Sequence, residues 1–156
     1  MKTLIDLHVH STASDGIRAP ADLVAYAANM GIGALALTDH DTTDGIDEAL
    51  AEAARAGVDL VPGIEFSVDY HPGSFHMVGL YIDHRNEQLQ EIIHWLKERR
   101  STRIYRIIDD LRKHRIDIPV EEVEALAAGG SPGRPHVARV LVKHGFAENV
   151  KDVFQK

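Results

Sequence analysis

Apolar and polar positions change period several times along the chain. Leu4, Asp6, His8 and His10 alternate with Ile5, Leu7 and Val9, which is the two-residue period of a strand. Residues 11–17 are polar and contain Asp15-Gly16, so they read as a loop. Pro20 suits the first turn of a helix and Gly31 its end, with Leu23, Val24, Ala27 and Met30 as the helical stripe between them. Residues 34–37 form a short apolar run, as in a buried parallel strand, and the run stops at Thr38-Asp39-His40-Asp41. A second helix is expected from about Thr43 to Ala56, with Gly57 as its stop. A strand follows over 58–62 and continues through Gly63-Ile64-Glu65-Phe66, and a further strand is expected over 75–82. This β-α-β-α-β rhythm predicts a parallel sheet with helices outside it. Ligands of such sheets bind at the C-terminal strand ends, where His10, Asp39-His40 and Glu65 fall.

After Asn86 the period becomes helical. Leu89, Ile92, Ile93, Leu96, Ile104, Ile107, Ile108 and Leu111 mark a long helix, and Lys97, Arg99, Arg100, Arg103 and Arg106 give it a basic face. Shorter helices are expected over 119–128 and 135–143, separated by the flexible break Gly129-Gly130-Ser131-Pro132-Gly133. The chain thus divides into residues 1–85, carrying the strand-end residues, and an α-helical part, 86–156.

Composition sets the boundaries of function. A chain of 156 residues, 44% hydrophobic and 26% charged, suits an ordinary globular domain. The formal charge of −7 argues against holding long nucleic acid by bulk charge, although bound divalent ions would still let a small phosphate approach. With no cysteine, disulfides, thiolate metal sites and a Cys nucleophile are excluded. The first residues meet charge and His too early for a signal peptide, and no stretch suits a membrane span, so a cytoplasmic location is expected. Oligomeric state is not encoded in any pattern here. No P-loop occurs, so ATP is not an expected cofactor.

Ten histidines are many for this length, and their distribution is the main chemical signal. His8 and His10, two apart on a strand, point to one face and can grip one metal ion; a polar sheet end lined by two His is the other reading. Their company favours the metal. Asp15 follows in a loop, Asp39-His40-Asp41 after the second strand, Glu65 after the third, and His76 opens the next. Imidazole and carboxylate together suit zinc, manganese or iron. Convergence from several strand ends suits a multinuclear site in which Glu65 bridges two metals.

His8-Val9-His10 with Asp15-Gly16, then Thr38-Asp39-His40-Asp41, then Pro62-Gly63-Ile64-Glu65, then His76-x-x-Gly79, resembles the successive N-terminal motifs of the PHP (polymerase and histidinol phosphatase) family. The resemblance implies part of a distorted (β/α)7 barrel, an α/β fold with an inserted α-helical cap and two or three divalent metal ions. It implies that His8, His10 and Glu65 hold one metal, Glu65 and His76 a second, and Asp15 and His40 a third. The segment Gly133-Arg134-Pro135-His136-Val137-Ala138 is similar to one in small phosphatases and nucleoside 3′,5′-bisphosphate phosphatases of the family. By that likeness Arg134 contacts substrate phosphate, in keeping with the bidentate grip of guanidinium, and His136 lies close by. The local readings are a solvated loop residue for Arg134 and a helix N-terminal residue for His136. Longer family members carry a later His and an Asp-x-His. No second Asp-x-His occurs here, so the chain is expected to be a fragment or a shortened protein.

The expected chemistry is phosphoester hydrolysis by a metal-bound water held by Glu65, His8 and His10. The substrate class is a small phosphorylated molecule: a nucleoside 3′,5′-bisphosphate, the end of a short oligoribonucleotide, or histidinol phosphate. A non-catalytic module and a metal-dependent amidohydrolase are the competing classes; the second tends to use a carboxylated Lys, and no Lys stands at an obvious strand end. Asp39 is read either as orienting His40 or as a local cap, and Asp41 and Asp44 as helix-start residues. His71 lies in a turn, His94 is structural, and His114 and His144 stand near helix C-termini. The Arg99–Arg106 run reads as a solvated face, with contact to nucleotide phosphates as the other reading.

Overall fold

The computed structural model describes residues 4–70, 73–127, 130 and 132–155. The first half contains β1 (Leu4–Val9), α1 (Pro20–Asn29), β2 (Ile32–Leu37), α2 (Ile46–Ala56), β3 (Asp59–Tyr70) and β4 (Gly73–Leu80). The second half is helical: α3 (Glu87–Lys113), α4 (Val120–Ala127), α5 (Arg134–Lys143) and α6 (Val150–Val153). The strands form one sheet in the order β1-β2-β3-β4. β1, β2 and β3 run parallel, as two β-α-β units require, and β4 turns back antiparallel along β3.

That last strand differs from the simplest reading of the period. β3 is 12 residues long. Its first part pairs with β2 up to Pro62, and the rest pairs with β4 from Gly63 onward. His76 therefore sits in mid-strand, opposite Ser67, rather than at a strand opening. Directly opposed residues share a sheet face, so His76 stands on the same face as Glu65 and Ser67. His71, the turn histidine, lies outside the described residues, as do residues 129 and 131 of the glycine-rich break.

Two hydrophobic clusters hold the chain. In the first, Val24 and Ala27 of α1 and Ile46, Ala49 and Ala53 of α2 pack on Leu35, Leu37, Val58 and Leu60. In the second, Ile104 and Ile108 of α3 pack with Ile118, Val123, Val137, Val140 and Leu141. Each large aliphatic side chain so buried contributes about 1.5–3 kcal/mol. Gly57, at φ 72, closes α2, and Asn86 Oδ1 accepts the Leu89 N–H to start α3. Among the described residues no helix is long and apolar enough to cross a membrane.

The segment between β2 and α2 is not the helix start that its aspartates suggest. α2 begins only at Ile46. Residues 39–41 instead continue alongside β3: Glu65 N–H donates to Asp39 O at 3.1 Å, and Asp41 N–H donates to Glu65 O at 3.0 Å. This bridge places His40 beside Glu65. Asp41 is buried in the left-handed region at φ 51, while Asp44 pairs with Lys97 on the surface.

The loop after β1 is folded tightly on itself. Gly16 N–H donates to Ser11 O at 2.9 Å, and a Cβ on Gly16 would stand 2.2 Å from His10 O. Gly16→Ala therefore forces the loop open next to Asp15. It is expected to lower stability by about 1–3 kcal/mol, the usual range for overpacking, as read by urea denaturation. An unchanged midpoint would show that the loop shifts without cost.

Candidate metal centre

Six side chains singled out by residue type converge at the end of the sheet. Glu65 is at the centre. Its Oε2 lies 2.9 Å from His8 Nε2, 3.0 Å from His10 Nε2 and 3.5 Å from His40 Nδ1, and its Oε1 lies 2.8 Å from His76 Nδ1. Asp15 stands on the far side of His10 and His40, with Oδ1 3.4 Å from His10 Nδ1 and Oδ2 3.6 Å from His40 Nε2. The four imidazoles follow one another with ring centroids 4.6–5.2 Å apart. Three groups of donor atoms are compact enough to hold a metal ion: His8, His10 and Glu65; His10, Asp15 and His40; and His40, Glu65 and His76.

Local structure explains the convergence. The strand period brings His8 and His10 to one face, and the bridge to β3 brings His40 to Glu65. The loop that carries Asp15 is clamped by Asp39. Its Oδ1 accepts the Ser11 N–H at 2.7 Å and the Ser14 hydroxyl at 2.6 Å, and its Oδ2 accepts the Ser11 hydroxyl at 2.6 Å. Asp39 is thus neither a partner of His40 nor a helix cap. It ties the β1 loop to the end of β2. Arg139 adds a second tie by donating to Asp15 O at 2.8 Å.

The electrostatics suit cation binding. Burial pushes the Glu65 carboxyl up, but hydrogen bonds from His8 and His76 and the neighbouring imidazoles outweigh it, and the net direction is down. Glu65 is therefore an anion despite being buried. The His40 pKa is lowered to about 4, first by burial and then by the Arg100 guanidinium, so its ring is neutral and its lone pair is available. His40 Nδ1 is buried and has no hydrogen-bond partner among the described residues. The 3.5 Å to Glu65 is too poorly aligned to count as one. A buried nitrogen left unpaired costs about 1–3 kcal/mol, and a bound cation would satisfy it. This orphan atom and the mixed imidazole–carboxylate donor set fit a metal centre of zinc, manganese or iron type.

Beside the cluster lies a cavity of about 140 Å³, lined by Asp15, His40 and His76 and by Arg100, Arg103, Arg134 and Phe154, among others. Arg134 is on its wall. His136 is buried beside it, with Nδ1 accepting the Gly133 N–H at 3.0 Å, which leaves the ring proton on Nε2. Burial, then Arg139, lowers its pKa.

Arg100 is the residue that the basic run conceals. Its side chain is only 11% exposed, and its Nη1 donates to Asp41 Oδ2 at 2.7 Å and to Ser67 Oγ at 3.1 Å, while Nε donates to Pro132 O at 2.8 Å. The solvated-face reading fails at this position because Arg100 shares the apolar stripe of α3. Ile93 lies seven residues before it and Ile104 four after, both buried, and that spacing was the signal that could have found it. Of the remaining histidines, His84 pairs with Asp47 at 2.9 Å, and His94 is solvent-exposed, 3.6 Å from Glu98. His114 and His144 occupy the C-caps of α3 and α5.

An α/β sheet with His and carboxylate side chains gathered on one side defines a candidate metal-centre architecture. The PHP domain model matches residues 6–156, and the chain belongs to that family as a partial PHP fold. It is 42% identical over 155 residues to the 5′-3′ exoribonuclease Rnm of Escherichia coli, covering 98% of this chain and 53% of that protein. It is 36% identical to the 3′,5′-nucleoside bisphosphate phosphatase of Chromobacterium violaceum, covering 97% and 54%. A solved Chromobacterium violaceum amidohydrolase with bound sulfate superposes with a TM-score of 0.91 at 35% identity, over 97% of this chain and 54% of that one. The chain spans about half the length of the curated relatives it matches.

Proposed function

We propose that the protein is a metal-dependent phosphoester hydrolase acting on a nucleotide phosphate. His8, His10 and Glu65 hold one divalent ion, and His40, Glu65 and His76 hold a second. His10, Asp15 and His40 offer a third position. The observation that carries this reading is the Glu65 carboxylate, buried and anionic, with four imidazoles around its two oxygens. When bound, divalent ions supply Lewis acidity toward phosphoryl oxygens and lower the pKa of a coordinated water.

The chain's own groups supply the rest. His8 and His10 face Glu65 through Nε2, and these are the ring nitrogens that would turn to a shared ion. Asp39 holds the loop that presents Asp15. Arg134, Arg103 and Arg100 put cationic groups on the cavity wall, where guanidinium suits phosphate oxygens. The names of the relatives, an exoribonuclease and a nucleoside bisphosphate phosphatase, support a nucleotide over histidinol phosphate.

The test combines elemental analysis with phosphate release from a nucleoside 3′,5′-bisphosphate, a short oligoribonucleotide and histidinol phosphate. His8→Ala with His10→Ala is expected to lose metal and to slow turnover by more than about 100-fold, beyond the cost of removing a partner that only supports a ligand. Turnover unchanged in the double variant would sink the metal assignment. Fastest release from histidinol phosphate would replace the nucleotide reading.

A further inference from the structure

We infer that Phe154 is a stacking platform for a nucleobase at the mouth of the cavity, so the ligand is recognised through its base as well as its phosphate. The inference rests on the phosphoester reading above and names the part of the substrate that reading leaves open.

Phe154 follows α6. Within that short helix, Val153 packs into the helical core, and Asn149 fixes the start by accepting the Asp152 N–H. The next residue, Phe154, is turned outward and is 53% exposed. A single exposed aromatic is ordinary. This one differs in its surroundings, because it lines the same cavity as His40, His76 and three arginines. The Arg134 guanidinium lies over its ring, 5.9 Å from the centroid, within cation–π range. An aromatic face and a guanidinium plane, side by side, are the two groups on which bases stack.

Size points the same way. Pockets that enclose drug-sized ligands measure about 300–1,000 Å³, and this cavity measures about 140 Å³. It can take a phosphoryl group with part of a sugar. A base attached to that sugar must lie at the rim, where Phe154 presents its ring. The arginines recognise any phosphate, whereas an aromatic platform separates a nucleotide from a phosphate lacking a base.

The experiment titrates the 156-residue chain with adenosine 5′-monophosphate, ribose 5-phosphate and inorganic phosphate by calorimetry. A chelating buffer prevents turnover, and saturation transfer to the adenine protons is recorded in parallel. The nucleotide is expected to bind about 5- to 100-fold more tightly than ribose 5-phosphate, the range that one base–aromatic stack gives on alanine substitution, and its adenine protons are expected to receive saturation. Phe154→Ala should erase that difference and leave ribose 5-phosphate binding unchanged, and Phe154→Trp should restore it. Equal affinity for the two sugar phosphates in the unmodified chain overturns the inference, and the phosphate site stands. Phe154→Ala weakening both alike, with a lowered thermal midpoint, also overturns it, by showing that Phe154 acts through the fold. If none of the three phosphates binds, and none binds when the chelator is replaced by a divalent ion, the phosphoester reading itself falls, and this inference with it.

Discussion

Glu65→Gln is expected to empty the metal centre while leaving the fold largely in place. Gln keeps the size of the side chain and one carbonyl oxygen but removes the charge. In the native chain the two carboxylate oxygens accept from His8 and His76 and lie against His10 and His40. An amide presents one acceptor and one donor group, so at least one imidazole now faces N–H₂. Two of the three compact donor groups include Glu65, and both lose their only carboxylate. Elemental analysis should then show retention at most at the His10, Asp15 and His40 position, with phosphate release down by more than about 100-fold. The variant should remain folded, because the cores beneath the sheet and among the helices contain none of these residues. Full metal content in the Gln variant would refute Glu65 as the shared ligand.

The second large effect is expected from a buried ion pair beside the centre. Arg100 Nη1 and Asp41 Oδ2 are 2.7 Å apart, with side chains 11% and 1% exposed. Lys97 Nζ and Asp44 Oδ2 are as close, 2.6 Å, but are 34% and 57% exposed. Distance does not separate these pairs; burial does. Removing one partner of a buried pair leaves an uncompensated charge and costs about 3–5 kcal/mol, whereas an exposed pair contributes about 0–1 kcal/mol. Arg100→Met and Asp41→Asn should each lower stability by about 3 kcal/mol, and the double variant by clearly less than the sum. Lys97→Ala should cost under about 1 kcal/mol. Strictly additive losses in urea denaturation would mean that Arg100 and Asp41 act separately.

Much of this arrangement is legible in the residues, and the exceptions have physical causes. β1, α1 and β2 follow from period and from Pro20 and the loop polarity, because a parallel unit has one local solution. The six ligand candidates are legible because few side chains bind metals and all six follow in order in the strands or the segments just after them. The antiparallel return of β4 is not legible, since alternation along Phe75–Ile82 is the same for either direction. Asp41 misleads because Asp before an apolar helix is usually a start signal. Here its side chain instead accepts the Ser67 N–H at 2.7 Å and the Arg100 guanidinium. Arg100 misleads because its basic neighbours, such as Arg99 over the Trp95 ring at 4.8 Å, hide its place on the buried stripe. Asp39 is legible only as a carboxylate near the site; its partners, Ser11 and Ser14, are 28 and 25 residues away in sequence.

The two hydrophobic clusters have no buried residue in common, and all six ligand candidates belong to the half that the first cluster supports. The sheet core and the helical core are thus separate packing units. Among the described residues, hydrogen bonds of Arg100 and Arg139 are polar ties across the division. The imidazole cluster rests on the first core, whereas Arg103, Arg134 and Phe154 of the cavity wall come from the helical half. The basic and aromatic wall of the cavity and the ligand set thus stand on different cores, so that substitutions in the helical half can alter the wall without entering the packing beneath the ligands.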